Sequence, residues 1–135
     1  MASIKKRENT TIKLREHAQQ AKRRAVKLRA IARGVKSDTE REALEAVYAY
    51  EEVLSGKNGR RTRATRTWQM IERHGIIEAV ERAVNRSAET QGYRALIEMG
   101  MEELAFEAVI LRHPDAFSSN AVEIAEERFR DWKNA

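Results

Sequence analysis

The chain has 135 residues, 26 of them Lys or Arg against 21 Asp or Glu, and no cysteine, so its length fits one domain and neither disulfides nor a thiolate metal site can form. Apolar residues make up 41% and charged residues 35%, which supplies a core and places the charges on solvated faces rather than in a disordered chain. No run of about eighteen apolar residues occurs, and the basic start Lys5, Lys6, Arg7 leads into no apolar segment, so neither a membrane span nor a secretory leader is expected and a cytoplasmic location is the simplest reading.

Helix formers dominate, while only Pro114 and six glycines interrupt them. The expectation is an all-α single domain over 1–135 with six or seven helices. It would begin with an antiparallel helical hairpin over 1–56 and continue as a helical body over 57–135. The first helix is expected over 11–33, ending at Gly34. Leu14, Ala18, Ala21, Ala25, Leu28 and Ala32 alternate four- and three-residue steps, a heptad seam suited to lie against a neighbouring helix. The same seam predicts a homodimer. A second helix over 38–55 opens with the capping-box pattern Ser37, Asp38, Thr39, Glu40 and closes at Gly56, with Leu44, Val47, Tyr48 and Leu54 inward.

A third helix follows over 62–73, ended by Gly75, and a fourth over 76–86 with Ile77, Val80 and Val84 inward. A fifth spans 89–99. After Gly100 a sixth runs 101–112, until Pro114 forces a stop. The last covers 120–133, with Asn120 and Glu123 as a capping pair. Its Phe129 and Trp132 lie three residues apart on one face, where core packing is the first expectation. The chain contains neither an internal repeat nor a low-complexity tract.

Charge is unevenly distributed along this order. Residues 1–36 hold 12 Lys/Arg against 2 Glu, residues 37–56 hold 1 against 6, residues 57–74 hold 6 against 1, and residues 75–135 hold 7 against 12. Two basic blocks thus alternate with two acidic ones, as in a protein with one polyanion-facing surface.

Arg60, Arg61, Arg63 and Arg66 crowd the start of the third helix. A helix N-terminus carries partial positive charge, so guanidinium groups there call for an anion, and phosphate suits them through bidentate hydrogen bonds. Thr62, Thr65 and Thr67 are additional donors to phosphate oxygens. Along the first helix Arg15, Lys22, Arg29 and Lys36 recur every seven residues, which lines them up at intervals of about 10.5 Å. Lys13, Arg23, Arg24, Lys27 and Arg33 broaden the stripe. The alternative is that both blocks pair with the second helix through Glu40, Glu45, Glu51 and Glu52. Six acids in 37–56 cannot neutralise 12 basic residues before them and 6 after them.

No nucleic-acid motif is matched, and a helix-turn-helix over 48–75 has too long a connection at 56–61. Trp68 is the one ring near the arginines and is expected to be a core anchor. His17, His74 and His113 have no ligand spacing, so neither a metal nor another cofactor is expected. The pairs Glu51-Glu52, Glu102-Glu103 and Glu126-Glu127 form no carboxylate dyad by adjacency, and no nucleophile or phosphate-loop motif occurs; an enzyme is not expected. Two readings follow. The first is a nucleic-acid-binding accessory or regulatory protein of bacterial or mobile-element type, with DNA favoured over RNA, contacting phosphates through Arg15, Lys22, Arg23, Arg29, Arg60, Arg61, Arg63, Thr65 and Arg66. The second is a protein-interaction module, a dimeric adaptor or inhibitor that sets its basic face on an acidic protein partner. A single continuous face formed by the two basic blocks would favour the first; acids of the second helix interleaved among them would favour the second.

Overall fold

The Ser37 hydroxyl accepts a hydrogen bond from the Glu40 N–H at 3.1 Å, with Ser37 itself extended, so the predicted cap starts the second helix where the sequence placed it. Ser37→Ala is expected to cost about 1 kcal/mol, measured by urea denaturation. In the computed structural model, which describes residues 2–35, 37–86 and 89–133 (side chains from 11 onward, except 89–91), seven α-helices appear and no strand among the described residues. They are α1 (Ala2–Ala32), α2 (Asp38–Asn58), α3 (Thr65–His74), α4 (Ile76–Val84), α5 (Glu89–Glu98), α6 (Phe106–Arg112) and α7 (Ser119–Lys133). Short 3-10 turns lie at Glu102–Leu104 and Pro114–Ala116.

Several boundaries differ from expectation: α1 begins at Ala2 and not at 11, α3 at Thr65 and not at 62, and α4 ends at Val84 and not at 86; three further differences have a local reason. Gly56 stays inside α2, which ends one turn later at Gly59, where φ is +67°; the left-handed conformation, and not merely a glycine, terminates the helix. Residues 101–112 do not form one helix. Gly100, at φ +70°, is followed by the 3-10 turn, and Ala105 is extended before α6 begins. At α7 the cap is Ser118, whose hydroxyl accepts from Ala121 N–H at 3.2 Å, while the Asn120 amide reaches Asn85 instead.

α2 is the central element. Ala43, Leu44, Ala46, Val47 and Ala49 are buried along it, and it contacts α1, α4, α5 and α6. One side joins Val80, Val84, Val109, Ile110 and Phe117 in the larger core cluster. Ala49, on another side, joins Tyr93, Leu96, Met101 and Leu104 in a second cluster, against which Trp132 packs. Trp132 also meets Phe129 edge-on at 5.4 Å. Alanines along α2 permit such close approach on several sides at once.

Polar ties fix the periphery. Glu42 of α2 accepts from Arg112 Nε at 2.7 Å and from His113 Nε2. Burial pushes its carboxyl up, but these two hydrogen bonds and charges outweigh burial and hold it below the usual range. Glu107 of α6, 3% exposed, pairs with Arg128 of α7 at 2.7 Å. Burial raises its pKa, and Arg128 only partly opposes that.

The largest departure concerns α1. The face that packs on the body is not the predicted seam: Val26 and Ala30 are 1% and 0% exposed, whereas Leu14 and Leu28 are 64% and 60% exposed. Ala18, Ala21, Ala25 and Ala32 are exposed with them. The packed stripe is Gln19, Arg23, Val26 and Ala30, which has the same four-three-four spacing and lies more than a quarter turn around the helix. Its polar members grip the turn after α5. Gln19 Nε2 donates to Met99 O at 2.7 Å, and Arg23 donates to Gly100 O and pairs with Glu103. Farther along, the Arg33 guanidinium lies 4.5 Å from the Trp68 ring centre, a cation–π contact that ties the end of α1 to α3.

Candidate nucleic-acid interface

The segment between α2 and α3 is fixed by four side chains. Ser55 Oγ accepts from Thr62 N–H at 2.8 Å, and Asn58 Nδ2 donates to Thr62 Oγ1 at 3.1 Å. The Thr62 hydroxyl donates to Arg60 O at 3.0 Å. Glu51, 8% exposed, accepts from both Ala64 N–H and Trp68 Nε1, each at 2.8 Å. Its carboxylate therefore sits at the start of α3 and supplies the anion that the helix N-terminus calls for. Thr62 is engaged, Thr67 is buried, and Thr65 alone of the three threonines is exposed.

With the loop anchored from beneath, its arginines point outward. Arg60, Arg61, Arg63 and Arg66 are all exposed. Arg63 lies 3.8 Å from Glu51 and 5.8 Å from the Trp68 ring. Across from them, Lys22 and Arg29 project from α1, and a cleft of about 940 Å³ opens between the two groups. Tyr48, Glu51, Glu52 and Ser55 of α2 form its floor. Arg29 reaches Glu52 at 3.6 Å and lies 5.9 Å from the Tyr48 ring, and Tyr48 in turn packs on Trp68 at 5.4 Å.

No family model, curated protein or solved structure matches this chain.

The two basic blocks therefore meet. Lys22, Arg29, Arg60, Arg61 and Arg63 line one cleft, with Glu51 and Glu52 as its only carboxylates among the described residues. Interleaving by α2 is limited because three of its other acids are engaged elsewhere: Glu42 with Arg112 and His113, and Asp38 and Glu45 with Arg41, although Glu45 also lies within the field of Lys27 on α1. Glu45 is pushed up by burial, which its neighbouring cations only partly offset. Five cations against two carboxylates leave a positive surface.

The remaining candidates divide. Arg15 continues the flank of α1, sharing with Lys22 a smaller depression beside Met99 and Met101. Arg66 and Thr65, on the first turn of α3, are exposed but do not line the cleft. Arg23 is not available: it is spent on Glu103 and Gly100. Lys36 lies outside the described residues. Among the described residues no three His, Asp or Glu side chains are grouped to hold a metal ion, and no helix is long and apolar enough to cross a membrane. Ser55 and Tyr48 had no signal in the sequence as parts of a site, since a serine near a helix end and a tyrosine on an apolar face are ordinary there.

Proposed function

We propose that this protein binds the phosphate backbone of nucleic acid, duplex DNA in preference to RNA, along the cleft between α1 and the 59–63 loop. The observation that supports this most is the convergence of Lys22 and Arg29 with Arg60, Arg61 and Arg63 on one cleft. Arg60, Arg61 and Lys22 have no ion-pair partner among the described residues, so their charge is available. Thr62 and Glu51 hold the loop before a ligand arrives, which reduces the ordering entropy that binding would otherwise cost. Duplex DNA presents one charge per about 1.7 Å of axis, so cations about 10.5 Å apart along α1 find phosphates without any particular sequence. Released counterions provide the driving force.

The test is a titration against duplex DNA, single-stranded DNA and RNA of equal length at 50 and 200 mM salt. With five phosphate contacts, affinity for the duplex is expected to fall on the order of 10²–10³-fold between the two salts. Tighter binding of either other nucleic acid would correct the polymer class. Absence of binding to all three at 50 mM salt would overturn the proposal.

A further inference from the structure

We infer that the outward seam of α1 is a docking face for an acidic amphipathic helix of a partner protein. Leu14, Ala18, Ala21, Ala25, Leu28 and Ala32 lie along one line of α1 and none is covered: the two leucines are 64% and 60% exposed, and Ile31 beside them is 52% exposed. All the large hydrophobic side chains that the described residues leave exposed belong to α1. The seam extends about 27 Å from Leu14 to Ala32 at 1.5 Å per residue, and its heptad spacing is that of a two-helix contact.

Charge decides the occupant. One flank of the seam carries Arg15, Lys22 and Arg29, and the other carries His17, Arg24 and Ile31. Glu16 is the only acid between 11 and 33. In a parallel pair of copies each flank faces the opposite flank of its neighbour; in an antiparallel pair each faces its own kind. Basic residues meet basic residues in both arrangements, and like charges at these positions oppose pairing. A helix with glutamates at its flanking positions reverses the sign of each of these contacts. Shape argues the same way. Four alanines among six seam positions leave shallow holes, which a second alanine seam fills poorly and a partner with leucine or isoleucine knobs fills well.

The face is distinct from the cleft proposed to hold nucleic acid, although Lys22 and Arg29 border both. A docked acidic helix would therefore neutralise one bank of the cleft, so partner and nucleic acid would compete.

The experiment is calorimetric titration of the full chain with a synthetic four-heptad peptide, leucine at both seam positions and glutamate at both flanks, and with a peptide of the same composition in scrambled order. The ordered peptide is expected to bind at least about tenfold more tightly. Leu14→Ser combined with Leu28→Ser should abolish that difference, with helix content by circular dichroism and affinity for duplex DNA unchanged. Equal binding of ordered and scrambled peptides, or full retention of the difference in the double variant, would overturn the inference. So would light scattering that shows the chain above 15.5 kDa as a dimer dissociated by Ala21→Glu, because the seam would then belong to a second copy. The nucleic-acid titration can succeed or fail independently of all these outcomes.

Discussion

Arg128→Met is expected to destabilise the protein by about 3–5 kcal/mol, a large share of the total for a domain of this size. The substitution keeps the apolar stem that runs between α6 and α7 but removes the guanidinium that meets Glu107 at 2.7 Å. Glu107 is then left with a buried charge and no counter-ion, which is the costly half of breaking such a pair. Changing both residues, Glu107→Gln with Arg128→Met, should recover most of the loss, because a neutral amide is far cheaper to bury than a carboxylate. If the single variant unfolds less than 1 kcal/mol more easily by urea titration, the pair does not hold α7 in place.

The same variant carries a pH signature. Burial raises the Glu107 pKa above its ordinary value, so folding favours the protonated acid. The associated stability is complete below the ordinary carboxylate range and is lost as pH rises through the folded-state value. Loss of Arg128 raises that value further. The difference between variant and wild type should therefore be greatest near neutrality and shrink on acidification to about pH 4. Glu42 has the opposite sign: its pKa is lowered by His113 and Arg112 against the effect of burial, so its contribution disappears as pH falls. Because Glu42 is intact in both proteins, it cancels from the difference.

The all-helical fold was legible because glycine, proline and capping residues punctuate a chain of helix formers. Ser37 is a case where cap chemistry alone fixed a boundary. Gly56 is a case where it did not, because composition reveals which residue tolerates positive φ but not where the chain needs it. α1 shows a deeper limit. Two stripes with identical spacing run along it, and the more apolar one was the natural choice for the buried face. The body instead holds the stripe with Gln19 and Arg23 because their side chains satisfy the carbonyls of Met99 and Gly100 at the turn. Those carbonyls come from a turn some eighty residues away, and no periodicity within α1 reports them.

The site was legible as charge and illegible as geometry. The count of acids in 37–56 correctly limited how far α2 could neutralise the basic blocks, and Glu51 and Glu52 are the ones that reach the cleft. What the count could not show is that Glu51 is needed by Ala64 and Trp68, so the anion at the start of α3 is internal. That moves the free positive charge from the helix terminus to the guanidinium groups of the loop. Nor could it separate Lys22 from Arg23, adjacent residues about 100° apart around α1, of which the first lines the cleft and the second grips Glu103 and Gly100.

That separation gives the most discriminating expectation for the cleft. Lys22→Ala, Arg60→Ala and Arg61→Ala together should reduce the slope of log affinity against log salt by about three units for duplex DNA and weaken binding at low salt regardless of sequence. Stability should change little, since these are exposed cations without ion-pair partners among the described residues. Arg23→Ala should do the reverse. Its guanidinium ties α1 to Glu103 and Gly100, so its loss should loosen α1 while leaving the salt slope within about half a unit of wild type. Amide hydrogen exchange along α1 reads the first effect and the salt titration reads the second. If Arg23→Ala lowers the slope as much as Lys22→Ala does, the contacts made by nucleic acid are not those of this cleft. If the triple variant keeps the wild-type slope, the basic residues around Glu51 and Glu52 face a ligand other than a phosphate backbone.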